Sequence, residues 1–172
     1  VTATPNAGYN FVSWSDGVKT AKRTDLDVTA NVTATANFAI KTFTLGYSAG
    51  TGGSISGTKS QTVNYLVDGA AVTATPAAGY NFVSWSDGVK TAKRTDLDVT
   101  ANVTVTANFA IKTFKLSYSA GTGGTVSGTA SQTVNYNSDG SSVTATPAAG
   151  YNFVSWSDGV KTAKRTDLDV DE

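Results

Sequence analysis

The residues in this sequence whose types and spacing could do chemistry are few. They are a Ser-Asp-Gly triplet at Ser15–Gly17, Ser86–Gly88 and Ser157–Gly159, and the pair Asp96 and Asp98 with Asp87 nearby. A serine nucleophile of the triad type needs an imidazole base, and the chain has no histidine. The aspartates could collect a calcium ion, but calcium wants about six to eight oxygens in one coherent loop. Asp96-Leu97-Asp98 alternates like an exposed strand beside Lys93 and Arg94, so solvated ion pairs are the preferred reading. Cysteine and methionine are absent and Glu172 is the single glutamate, which removes thiolate ligands and disulfides. A Lys–Asn isopeptide crosslink would need a buried acid, and no repeat of the text carries a glutamate. Trp14, Trp85 and Trp156, with Tyr9/Phe11, Tyr80/Phe82 and Tyr151/Phe153, could stack on sugar rings. A small unit needs those rings for its core, and the core reading is preferred. The sequons Asn31-Val-Thr33 and Asn102-Val-Thr104 would accept a glycan only in a competent host. No enzyme, cofactor or metal site is expected.

Thirteen basic and thirteen acidic residues give a formal net charge of zero, without the cationic surplus of a nucleic-acid binder. No apolar run approaches the roughly 18 residues of a membrane span. Val1–Asn10 has no charged segment followed by an apolar stretch, so no export signal is read in this segment.

The elements that would position any site come from a repeat. Trp14, Trp85 and Trp156 recur every 71 residues; residues 1–71 match 72–142 at 60 of 71 positions, and 143–170 match 72–99 throughout. The differences cluster at Leu66/Asn137, Val67/Ser138, Ala70/Ser141 and Ala71/Ser142, around Asp-Gly pairs at 68–69 and 139–140, which marks an exposed loop.

Strand phase sets the unit boundary. Apolar residues take odd positions along Val103, Val105, Ala107, Phe109 and Ile111, and even positions along Phe114, Leu116 and Tyr118. A strand cannot change its buried face without a break, so a boundary falls at Lys112–Thr113 and an equivalent one at Lys41–Thr42. The chain then reads as the C-terminal half of a module (1–41), one complete module (42–112), and a module lacking its last strand (113–172).

The pattern inside a module is β throughout, and no helical stripe of useful length is found. An all-β fold is expected: small antiparallel modules of about 70 residues in a head-to-tail array. The segments are Phe43–Tyr47, Ser54–Ser56, Gln61–Tyr65, Val72–Thr75 stopped by Pro76, and Tyr80–Trp85 turning at Asp87-Gly88. A last hairpin, Leu97/Val99 to Val103/Val105, closes about Ala101-Asn102. The expected core is Phe43, Leu45, Tyr47, Val63, Tyr65, Tyr80, Phe82, Trp85, Val103, Val105 and Phe109. A module this size buries only about 60% of its unfolded surface. Its diameter is near 30 Å. The joint Ala110-Ile-Lys-Thr113 has neither Gly nor Pro, which favours a stiff rod over beads on a string.

The stretch from Val72-Thr-Ala-Thr-Pro through Gly79-Tyr-Asn-Phe-Val-Ser-Trp85 to Gly88, followed by Val103-Thr-Val-Thr-Ala-Asn-Phe109, resembles the divergent internalin-type B-repeat family, and the resemblance covers the whole chain. It implies β-rich modules in tandem in large bacterial surface or secreted proteins, used as stalks or spacers, hence an extracellular or cell-surface location. Members of the wider family are β-grasp-like with a short helix, and this remains the alternative fold. The best place for such a helix here, Thr91–Asp96, is short, so the all-β description is preferred.

Two functional readings follow: a mechanical stalk, spacer or filament body, and a multivalent adhesin-type module for a glycan or host protein. The expected partners are neighbouring repeats or copies of the chain itself. Residues 31–39, with Asn31, Val32, Ala34, Ala36 and Phe38, carry the strand that 113–172 lacks, so one subunit could lend it to the next in an open fibre. The plainer reading is that the chain is a window on a longer array.

Overall fold

The computed structural model describes residues 1–171 and holds fourteen strands. They are β1 (Tyr9–Trp14), β2 (Ala36–Ile40), β3 (Thr42–Ala49), β4 (Gly53–Ser56), β5 (Ser60–Asn64), β6 (Val72–Pro76) and β7 (Tyr80–Trp85). After these come β8 (Lys93–Arg94), β9 (Val103–Ile111), β10 (Thr113–Ser117), β11 (Gly124–Gly128), β12 (Ser131–Asn135), β13 (Val143–Pro147) and β14 (Lys164–Arg165). No helix occurs among the described residues, and Thr91–Asp96 holds the two-residue β8. The fold is all-β. Alternating small, threonine-rich text suits half-exposed sheets, and Pro76 ends β6 because it has no N–H to donate onward.

The chain forms two compact units. The first comprises Val1–Gly50, Ser54–Thr75 and Ser84–Asn108. In it, β1 and β2 form an antiparallel pair whose register slips between Phe11 and Ser13. β5, β3, β9 and β7 lie in that order in a four-stranded sheet, and β4, β6 and β8 form a three-stranded one, although Tyr80–Val83 of β7 and residues 109–111 of β9 are counted with the second unit. β3 pairs antiparallel with β5 but parallel with β9, in register from Leu45 opposite Val103 to Ala49 opposite Ala107. That parallel pair departs from the antiparallel arrangement expected, and β4 to β8 serve as the long crossover that parallel strands require. The expected hairpin about Ala101-Asn102 is also absent. Val99 precedes a bend and β9 leaves it to join β3.

The parallel register puts Leu45, Tyr47, Val105 and Ala107 into the core with Ile55, Val72, Ala74, Trp85 and Val99. Burying each of the larger aliphatic side chains stabilises by about 1.5–3 kcal/mol. The differing loop at 66–71 is exposed at Leu66 and Val67 but pinned from beneath. Buried Gln61 donates through Nε2 to the Thr58 and Ala70 carbonyls and accepts from the Ala70 N–H. Gln132 repeats the clamp with Thr129 and Ser141.

The second unit comprises Thr51–Gly53, Pro76–Val83 and the chain from Phe109 onward. There β10 pairs with β12, and β13 lies between β11 and β14, all antiparallel. Val143, Trp156 and Val170 are its buried apolar residues.

Candidate functional site

Trp85 is held by a cluster that recurs in each copy. The end of β7 turns at Gly88, whose N–H donates to the Trp85 carbonyl, and the indole Nε1 donates to the Thr91 carbonyl. This brings Asp87 back toward β8, where Arg94, only 8% exposed, binds both flanking carboxylates. Its Nη1 lies 2.5 Å from Asp87 and its Nη2 2.6 Å from Asp96, while Nε donates to the other Asp96 oxygen. The guanidinium sits 5.7 Å from the Trp85 ring centroid, and Tyr47 meets that ring edge-on. The Tyr47 hydroxyl donates to Asp96 at 2.6 Å.

The second unit repeats the arrangement with Tyr118, Asp158, Arg165, Asp167 and Trp156. At the front, Arg23 binds Asp16 and Asp25 over Trp14.

Asp96 and Asp98 therefore do not share an exposed strand. Asp96 is part-buried on Arg94, while Asp98 takes a left-handed φ of 45° and donates its N–H to Asp68.

The ion pairs and hydrogen bonds of the cluster set the protonation of its members. Burial pushes the Asp96 carboxyl upward, but hydrogen bonds from Arg94 and Tyr47 outweigh it and hold the group below the ordinary carboxylate value. Asp167 behaves likewise, with Tyr118 and Arg165 as donors. Burial and the bond to Asp167 push the Tyr118 hydroxyl up to about 12, and Tyr47 rises further for the same reasons. Each cation faces two anions, and each phenol donates to a carboxylate. Among the described residues, no group of three His, Cys, Asp or Glu is placed to hold a metal ion.

A second feature is a recurring joint. Gly8 is buried with φ 77°, and a Cβ built on it would lie 2.1 Å from Cδ1 of Tyr65. Alongside, the Lys41 N–H donates to the Gly8 carbonyl and the Tyr65 N–H to the Lys41 carbonyl. In the second unit Tyr136 covers Gly79 in the same way, with Lys112 bonded to both. Only glycine lets a ring lie on the backbone at a positive φ.

The third feature is a groove. A cleft of about 620 Å³ in the second unit is lined by Leu116, Tyr118, Gly124, Val126, Phe153 and Trp156 among others. One edge of β10 carries β12; none of the described residues forms a strand on its other edge. The corresponding edge of β3 carries β9. Phe109 at the far end of β9 packs on Gly53, and its ring meets Phe82 edge-on, whereas the atoms nearest a Cβ at Gly124, the counterpart of Gly53, are backbone atoms of Thr146 and Pro147.

Of the residues read as core, Leu45, Tyr47, Trp85 and Val105 are buried. Phe43, Val63, Tyr65, Tyr80, Phe82, Val103 and Phe109 are half-buried. Tyr65 serves the joint and Tyr80 covers Gly52, both uses that apolar alternation does not announce. Sequence reasoning missed Arg94 and Gln61 as interior residues; the signal was a lone Arg two residues before Asp96 in every copy. In the segment read as a lendable strand, Asn31 and Val32 are exposed, Ala34 is half-buried, and Ala36 and Phe38 lie in β2 with Phe38 edge-on to Phe11.

With this geometry in hand, one family model matches the chain: the divergent InlB B-repeat domain, over residues 1–42, 43–113 and 114–171. No curated protein and no solved structure matches.

Proposed function

The chain belongs to the divergent InlB B-repeat family, and on that premise we propose that it is a non-catalytic stalk or spacer of a bacterial surface protein, located outside the cell. The observation that carries this reading is the joint. Tyr65 on Gly8 and Tyr136 on Gly79 use the same packing and the same two backbone hydrogen bonds, across boundaries that contain no Gly or Pro. A joint that repeats and is tied by the backbone transmits orientation from one copy to the next. The Arg–Asp clusters, each guanidinium bonded to two carboxylates beside a tryptophan ring, support a structural rather than a reactive interior. Small-angle scattering on arrays of increasing copy number tests it: the maximum dimension rises by about 30 Å per copy in a stiff stalk. A dimension that grows only with the square root of copy number refutes it.

A second reading, multivalent capture of a glycan or host protein, is favoured by the aromatic-lined cleft beside β10. It requires binding on a glycan array that rises steeply from one copy to three.

A further inference from the structure

We infer that the module between Lys41 and Lys112 is a tension-bearing clamp, in which force carried along the chain loads the parallel β3–β9 ladder in shear. The inference deepens the stalk reading and rests on it for its use, but its mechanism comes from the topology. Tension passing along the chain enters the module at Thr42, where β3 begins directly after Lys41. It leaves at Ile111, where β9 ends directly before Lys112. Between these points the two strands are hydrogen-bonded neighbours running in the same direction, from Leu45 opposite Val103 to Ala49 opposite Ala107. Entry and exit therefore lie at opposite ends of one ladder, and pulling them apart slides the strands past each other along their length. The evenly spaced bonds of a parallel pair then share the load and must break together. Had β9 folded back antiparallel, its exit would return to the entry end, and the same tension would open the bonds one after another.

The surroundings of the ladder reinforce it. Its paired residues all belong to the first unit, and they sit mid-sheet, with β5 outside β3 and β7 outside β9. Neither strand of the clamp is an edge strand. On the inner face Leu45, Tyr47, Val105 and Ala107 are buried, which keeps water from competing for the bonds from that side. Each end carries an added tie. Before the first pair the Thr44 N–H donates to the Asn102 side-chain oxygen at 2.9 Å, and beyond the last pair the Gly50 N–H donates to the Ala107 carbonyl at 2.9 Å. On the outer face the hydroxyl oxygens of Ser48 and Thr106 lie 2.7 Å apart across the two strands.

Single-molecule force spectroscopy on the 172-residue chain tests the inference. The chain has no cysteine, so two introduced ones define the pulling axis. Lys41→Cys with Lys112→Cys pulls along the natural path, in shear. Lys41→Cys with Ala101→Cys attaches both handles at the end of the ladder that precedes the Leu45–Val103 pair, so the strands peel apart. All three positions are exposed, and denaturant unfolding of the two double variants is expected to give equal stabilities. At one loading rate the shear axis is expected to yield at about threefold higher force or more, since bonds that break together divide a load that peeling places on one. Forced unfolding reads the barrier rather than the equilibrium, so equal stabilities do not mask the difference. Equal rupture forces along the two axes overturn the clamp. The scattering increment per copy reports how copies are oriented and is independent of rupture force, so the stalk reading stands or falls separately.

Discussion

The ring of Tyr136 lies directly on the backbone of Gly79, so that a Cβ there would fall 2.2 Å from its Cδ1. Gly150 occupies the equivalent position at the end of the third copy, with a similar φ of 81° and no atom within 4 Å of the site of its Cβ. The pair separates packing from backbone strain.

Gly79→Ala therefore destabilises by the roughly 1–2 kcal/mol of a left-handed alanine plus the loss of the Tyr136 contact. Gly150→Ala costs the first part alone. Denaturant unfolding of the two variants gives the worth of the joint as their difference, and equal losses would mean that the ring contributes nothing.

Arg94→Ala leaves Asp96 part-buried without its cation and strips the face of Trp85. A loss of about 3 kcal/mol is expected, as when one partner of a buried pair is removed. Arg94→Lys recovers only part of it, because an ammonium cannot engage Asp96 bidentately. Calorimetry of the two variants orders them.

Stability falls at both ends of the pH range for reasons of opposite sign. Asp96 and Asp167 are held below the ordinary value of 3.8, so their contribution is present above it and is lost as pH falls through their folded values. The Tyr118 hydroxyl is raised from 10 to about 12, so its contribution is full below pH 10 and disappears as pH climbs to about 12. Denaturation midpoints against pH show both limbs, and Tyr118→Phe flattens the alkaline one.

Leu66 and Asn137 occupy the same loop position in successive copies, each with a left-handed φ, 59° and 54°. Asparagine tolerates that conformation and leucine does not, and Leu66 is half-exposed with little to lose. Leu66→Asn raises stability by about 0.5–1 kcal/mol in chemical denaturation.

Amide exchange distinguishes identical text. Asn152–Ser155 exchanges faster than Asn81–Ser84, because the latter belongs to β7 beside β9 and the former is in no strand.

Much of this protein was written locally. The 71-residue period, the β character, the phase slips at Lys41 and Lys112 that fall between β2 and β3 and between β9 and β10, and the burial of Leu45, Tyr47, Trp85 and Val105 follow from side-chain alternation and composition. Pairing partners were not. Nothing near Val103 announces that its strand joins Phe43–Tyr47 in parallel rather than folding back as a hairpin, and the apparently solvated Arg94 goes inside because the turn at Gly88 brings Asp87 to it while Tyr47, from the distant β3, bonds its other partner Asp96. The hexapeptide Tyr-Asn-Phe-Val-Ser-Trp makes the division plain: it is a strand at 9–14 and 80–85 and irregular at 151–156. The residues decide that it can pleat and which face is apolar. A strand has no internal hydrogen bonds, so only a neighbouring chain segment decides whether it does.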